Sequence, residues 1–221
     1  MRLLIDIGHP AHVHLFRPFA KIMQNKGHEF LFTCRQKEFE IELLKNAGFT
    51  YISFGKKYKS ILGKIVGLLF FNIKMLKSAI KFKPDIFLSA GSMYAAQVSS
   101  FLRKPHITFE DTGNMEQVNL YKPFTDVILT SDVFHRDLGK KQIKYSGFHE
   151  LAYLHPNHFT YDKDILSYLV TNPDKKTVLF RFVSWNATHD IGQGGFTLSD
   201  KLRIVKKIAE THNVFISSES S

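Results

Sequence analysis

Short apolar runs alternate with longer segments whose apolar residues recur at helical spacing, and few folds accept that rhythm. Arg2–Ile7 is apolar apart from Asp6 and ends at Gly8-His9-Pro10, which is how a strand buried on both faces reads. Leu15, Phe16, Phe19, Ala20, Ile22 and Met23 then mark a helix over 13–26 that stops at Gly27. The same alternation predicts strands at 29–34, 50–54, 85–89, 106–110, 126–130 and 143–147. Helices are expected at 37–46, 60–83 and 92–102. Strand and helix in strict turn make a parallel sheet wrapped by helices, an α/β Rossmann-like fold.

The rhythm breaks over 155–174, where Pro156, Asn157, Asn172, Pro173 and Asp174 give linker composition around one short helical stretch at 164–169. It restarts with a strand at 177–183, a loop holding Gly192, Gly194 and Gly195, a helix capped by Ser199 and running to 211, and a strand at 213–217. The expected division is a first lobe over 1–155, a linker over 156–175 and the start of a second Rossmann-like lobe over 176–221. Two strands and one helix cannot cover both faces of a parallel sheet. The expectation is therefore a chain shortened relative to the functional protein, or one that completes itself against a partner.

Composition narrows the setting. A single cysteine, Cys34, excludes a disulfide framework and suits a reducing cytoplasm. The start is interrupted by Asp6 too early for a secretory signal, and no apolar run is long enough to span a bilayer. The formal net charge of +10 favours an anionic partner, or else only aids solubility.

Four stretches fall where strands end and helices begin, the place where open parallel sheets bind ligands. Gly8-His9-Pro10-Ala11-His12-Val13-His14 follows the first strand. The N–H groups of a helix start favour an anion, and His9 and His12 could add donors toward a phosphate or sugar hydroxyl. The pattern is neither a dinucleotide fingerprint nor a lysine-bearing phosphate loop. Without cysteine or a carboxylate at ligand spacing it argues against zinc, and both histidines could instead be loop caps. Ser89-Ala90-Gly91-Ser92-Met93 offers Gly91 for close backbone approach and Ser92 for a cap or a ligand contact. Glu110-Asp111-Thr112-Gly113-Asn114 joins two carboxylates to small polar residues, suited to hydroxyl recognition or a general base, with Asp111 alternatively a helix cap. Arg181 to His189, RFVSWNATH, ends the second lobe's first strand. There Arg181, Ser184 and Asn186 could hold phosphate or sugar.

A fifth stretch is physical rather than chemical. Residues 61–82 are rich in Ile, Leu, Val and Phe, and Lys56, Lys57, Lys59, Lys64, Lys74, Lys77, Lys81 and Lys83 stand in and around them. That suits a helix lying on an anionic membrane surface, or a core helix with a solvated lysine face. Nucleic acid ranks last among the anionic partners, because the lysines gather near an apolar helix and not among exposed aromatics.

IDIGHPAHVHLFRPF, LSAGSMYAAQ, TFEDTG and FISSE together resemble the prokaryotic family known as domain of unknown function 354. That family is in turn similar to the GT-B superfamily, which includes UDP-N-acetylglucosamine 2-epimerase and the N-acetylglucosaminyltransferase that makes lipid II. The resemblance implies two Rossmann-like lobes and chemistry on a UDP-sugar, by glycosyl transfer or epimerisation, in envelope polysaccharide or glycolipid synthesis. It implies no metal and no cofactor. His9, His12 and Glu110 become the catalytic candidates. Gly8, Gly91, Ser92, Asp111, Thr112, Asn114, Arg181, Ser184 and Asn186 become the substrate-binding ones. The alternative is a non-catalytic protein of the same pathway resting on the inner face of the cell membrane.

Overall fold

The computed structural model describes residues 1–36, 39–56, 61–157, 159–162, 164–169, 172–183 and 194–218. The chain divides into two units, Met1–Phe159 and Thr160–Ser221. In the first, seven parallel strands stand in the order β3-β2-β1-β4-β5-β6-β7. They are β1 Arg2–Ile7, β2 Glu29–Gln36, β3 Tyr51–Lys56, β4 Ile86–Ala90, β5 His106–Phe109, β6 Val127–Ser131 and β7 Gln142–Tyr145. The helices are α1 Pro10–Asn25, α2 Glu40–Asn46, α3 Ile61–Phe82, α4 Met93–Phe101, α5 Met115–Tyr121 and α6 Leu151–Leu154, with one 3-10 turn at Lys122–Phe124.

Period-two alternation along β1 explains the layers. Leu3, Ile5 and Ile7 pack with Phe16, Phe30, Phe32 and Leu44 on the face covered by α1 and α2. Leu4 points the other way, with Leu31, Phe71, Met75 and Phe87, under α3 and α4. A third cluster, Ala96, Val118, Tyr121, Ile128 and Leu138, extends the second layer under α5. From β1 the strand order runs one way through β2 and β3 and the other way through β4 to β7, so the order reverses between β1 and β4. Strand tips at such a reversal are splayed by helices leaving on opposite faces, which opens a crevice there.

Three boundaries differ from expectation for local reasons. α1 starts at Pro10, not at 13, because proline is preorganised for the first helical position and His9 caps it. His12 therefore lies in the helix's first turn. The cap ahead of α5 is Asn114 and not Asp111. In the second unit, helix α8 Leu198–Ala209 is capped by Thr197, whose side chain accepts from the Asp200 N–H at 3.2 Å, and Ser199 is already helical.

That second unit holds α7 Ile165–Leu169, β8 Thr177–Phe182, α8 and β9 Asn213–Ser218. β8 and β9 pair in parallel, with Val178 opposite Val214. Asn213 pins the preceding turn, donating to the carbonyls of Asn172 at 2.6 Å and Lys175 at 3.0 Å.

Candidate functional site

The crevice rests on a charge placed where the sequence looks apolar. Asp6 is fully buried in β1, and Arg35 of β2 is nearly so. Arg35 Nη1 donates to both Asp6 oxygens at 2.7 Å, and Thr33 Oγ1 donates at 2.7 Å. Ser92 Oγ donates a short hydrogen bond to Asp6 Oδ2 and accepts from the Ala95 N–H at 3.2 Å, capping α4. The Arg35 guanidinium lies 4.8 Å from the Tyr94 ring centroid. A buried carboxylate is tolerated only when its lone pairs are matched, and here β2 and the cap of α4 supply the match. Ser92 thus holds β1 to α4 and fills the capping role, one of the two expected of it.

Gly91 is likewise engaged with the protein. Its φ is +66°, and a Cβ there would stand 2.8 Å from Gln117 Nε2. Its N–H donates to Thr108 Oγ1 at 2.8 Å, and its carbonyl accepts from Gln117 at 2.5 Å. The positive φ is what favours glycine here, and a side chain would also make the end of Gln117 shift.

Glu110 turns inward. Its Oε1 accepts from the Thr112 N–H, the Thr112 hydroxyl and the Gly113 N–H, each at 2.9 Å. Its Oε2 accepts from Tyr121 Oη at 2.6 Å. Burial, with Glu110 beside it, pushes the Tyr121 hydroxyl well above its ordinary range, so this proton stays on tyrosine. With four donors on a carboxylate that is 4% exposed, Glu110 folds the loop that carries Asp111 and Thr112.

The turn after β1 also satisfies itself. His9 Nδ1 accepts from the Ala11 N–H at 3.2 Å, and the His12 N–H donates to the His9 carbonyl at 3.0 Å. Pro10 has no N–H, and the Gly8 N–H donates to His12 Nδ1 at 3.2 Å. The first-turn donors expected to await an anion are thus engaged within the turn. Burial lowers the His12 imidazole to about 4, with His9 adding to the effect, so it is neutral near pH 7. A neutral ring that accepts at Nδ1 carries its hydrogen on Nε2.

What stays open is a donor, an acceptor and a second imidazole. Asp111 is 64% exposed and lies 3.2 Å from Nδ1 of His149, in the turn after β7. The hydrogen bond from His149 holds the Asp111 carboxyl below its usual range, and His12 pulls in the same direction. The His149 ring packs edge-on against Phe109, centroids 5.2 Å apart, and sits 6.1 Å from the Tyr145 ring. His149 Nε2 and Tyr145 Oη are buried and meet no hydrogen-bond partner among the described residues. Both residues line a cavity of about 530 Å³ on the α1 side of the sheet, walled mainly by Leu15, Phe16, Phe109 and Leu129. Thr112 and Asn114 are exposed on the same loop as Asp111.

Arg181 is exposed on β8 of the second unit. Ser184 and Asn186 lie outside the described residues. Among the described residues no group of three or more histidine, cysteine, aspartate or glutamate side chains could hold a metal ion. Asp6, Arg35, His149 and Tyr145 are not among the site residues expected from the sequence. A lone acid inside an apolar strand was the signal for the first pair, since a buried charge demands a partner. The strand-tip rule, carried on to the seventh strand, would have found the second.

A family model described as a protein of unknown function, DUF354, matches residues 1–216. The chain belongs to the DUF354 family. Solved structures with the same fold include the UDP-GlcNAc 2-epimerase of Neisseria meningitidis bound to UDP-GlcNAc, at 11% identity and a TM-score of 0.63, covering all of this chain and 73% of that one. The UDP-GlcNAc 2-epimerase of Methanocaldococcus jannaschii matches at 14% identity and 0.61, covering all of this chain and 66% of the other. MurG of Acinetobacter baumannii matches at 8% and 0.59, covering 98% and 67%. This DUF354 chain therefore shares the Rossmann-like fold of GT-B proteins and spans about two thirds to three quarters of the length of these three. No curated protein matches it.

Proposed function

We propose that this protein binds a nucleotide sugar, a UDP-sugar in particular, and acts on it by glycosyl transfer or epimerisation in envelope polysaccharide or glycolipid synthesis. The observation that carries the reading is the meeting of His12, Asp111 and His149 at the tips of β1, β5 and β7. His12 Nε2–H is a donor and Asp111 an acceptor, so the pair suits a sugar hydroxyl, which both gives and takes a hydrogen bond. His149 with Nδ1 on Asp111 is held in the tautomer that leaves a lone pair on Nε2, the state required of a general base. In this reading His149 takes the proton-accepting part first expected of Glu110, and Glu110 positions Asp111. His9 orients the first turn. Arg181, in the second unit, remains the candidate for the phosphates. The likeness in fold to two proteins named UDP-GlcNAc 2-epimerases supports the choice of ligand class.

Thermal melts with UDP, UDP-N-acetylglucosamine and ADP test it. The uridine ligands should raise Tm in a concentration-dependent way, by the mass-action stabilisation of a bound native state. His12→Ala and His149→Gln should weaken that rise without lowering the ligand-free Tm by more than a few degrees. A Tm indifferent to every UDP compound sinks the reading.

A further inference from the structure

α3 divides its residues between two environments. Phe71, Met75, Ser78 and Ala79 face the sheet and are buried. The opposite side is neither packed nor polar: Val66 is 63% exposed, Leu69 66%, Phe70 41%, Ile73 43% and Ile80 59%. Val66, Leu69 or Phe70, Ile73 and Ile80 recur at spacings of three, four and seven residues, so they share one outward stripe. Lys77 falls on the same stripe and Lys81 beside it, both exposed. Lys74 Nζ donates to the Phe54 carbonyl at 2.8 Å and sits 4.4 Å from the Phe70 ring centroid. The neighbouring helix continues the character. α4 is tied to α3 by Asn72 donating to Gln97 at 2.7 Å, and Phe101, one turn further along α4, is 74% exposed. The sequence alone is compatible with a helix on a membrane surface or a core helix with a lysine face. The inner side is core, and the outer side is apolar with lysines set into it.

We propose that this outward face of α3, with Phe101 beside it, docks the protein on an anionic lipid bilayer. This goes beyond the nucleotide-sugar reading and does not depend on it. An exposed apolar stripe of this extent marks a contact surface, and charge decides which one. From Lys56 to Lys83 the sequence holds eight lysines and no acidic residue. A second copy packed stripe to stripe would set lysine against lysine, and a protein partner would need an apolar surface with a dense acidic rim. A bilayer containing anionic lipids offers apolar depth and negative charge in one plane. Among the described residues no helix is long and apolar enough to cross a membrane, so α3 lies along the surface. Leu69, Phe70 and Ile73 reach the boundary between headgroups and acyl chains, while Lys77 and Lys81 stay at the phosphates.

Flotation with phosphatidylcholine vesicles, with and without phosphatidylglycerol, tests the proposal on the whole chain. Wild-type protein should float with the phosphatidylglycerol vesicles alone, and less so at high salt. Leu69→Gln with Phe70→Gln and Ile73→Gln should lower partitioning by about tenfold or more, since each removes a membrane-buried apolar side chain. Lys77→Glu with Lys81→Glu should do the same at low salt. Every replaced side chain is exposed, so Tm should hold in both variants, and the charge pair tests the surface even if the apolar triple misfolds. Three outcomes overturn the proposal. One is no flotation, and another is equal flotation on neutral vesicles. The third is a wild-type dimer that the apolar triple converts to monomer in sedimentation, which would assign the stripe to a second copy.

Discussion

Buried and exposed carboxylates share the crevice and behave in opposite ways. Asp6 and Glu110 are buried, each takes four hydrogen bonds, and no lone pair is left toward solvent. Asp111 is exposed and pairs with His149. The buried acids tie strands, helix starts and loop together, and the exposed one is free to meet a ligand. Adjacency in sequence, as in Glu110-Asp111, says nothing about shared work: successive residues leaving a strand point to opposite sides. The comparison therefore predicts large stability effects at the buried acids and small ones at the exposed pair.

The largest effect belongs to Asp6. Asp6→Ala leaves the Arg35 guanidinium buried without its counter-charge and removes the acceptor of Ser92 and Thr33. It should cost about 3–5 kcal/mol of stability, read as a fall in urea midpoint, the usual range for breaking one side of a buried ion pair. A loss below about 1 kcal/mol would mean the reversal point is not anchored there. Glu110→Ala comes next. It strands the buried Tyr121 hydroxyl and Gly113 N–H, whereas water can reach the exposed Thr112. A loss of about 1–3 kcal/mol is expected from unsatisfied buried donors. Unchanged stability with lost turnover would instead make Glu110 the catalytic base of the original expectation and break the comparison.

Much of the fold was legible in the sequence. Apolar runs bounded by glycine, proline and charge located the seven strands of the first sheet, because a parallel sheet buried on both faces leaves little choice of residue. Helix ends were read less well. α1 starts at Pro10 and α8 at Leu198 because His9 and Thr197 each satisfy a first-turn N–H, and only geometry decides which polar residue near a helix start does so. The site was legible as a place more than as a set of roles. Strand tips drew attention to His12, Glu110 and Asp111, but whether a carboxylate turns toward Tyr121 or toward His149 depends on residues more than ten positions away. Asp6 with Arg35, and Asp111 with His149, are long-range pairs that no local pattern announces.

A broader effect concerns pH. His106 is fully buried, with Nε2 at 3.0 Å from Ser89 Oγ and Nδ1 at 2.6 Å from Thr125 Oγ1, and burial lowers it to about 3. The unfolded chain binds this proton near pH 6.5, while the folded chain refuses it until about pH 3. Stability therefore falls as pH drops below 6.5, by about 1.4 kcal/mol per unit from this group, and levels off near the folded value. His12, lowered to about 4, acts in the same direction. Asp111 contributes below this window, since a depressed carboxylate loses its stabilisation only near and under its ordinary value of 3.8. Urea unfolding between pH 7 and pH 4.5 should show the slope, and His106→Gln should flatten it. A flat wild-type profile would put His106 in water.

The smallest stability effect sharpens the comparison most. Asp111→Asn keeps the shape of a side chain that is 64% exposed and removes only its charge. A solvent-screened pair of this kind is worth at most about 1 kcal/mol, so the ligand-free unfolding midpoint should move by about 0.5 kcal/mol or less. The charge nevertheless decides which ring nitrogen of His149 faces it as a donor. A carboxylate accepts only, so it fixes the proton on Nδ1 and leaves Nε2 basic. An amide can turn its NH2 toward Nδ1 and permit the other tautomer. If the exposed acid is the ligand-facing one, UDP-sugar affinity measured by titration calorimetry should drop about tenfold, or about 1.4 kcal/mol, while the fold is untouched. A variant that binds like wild type would return Asp111 to the class of loop residues and leave the crevice without its acceptor.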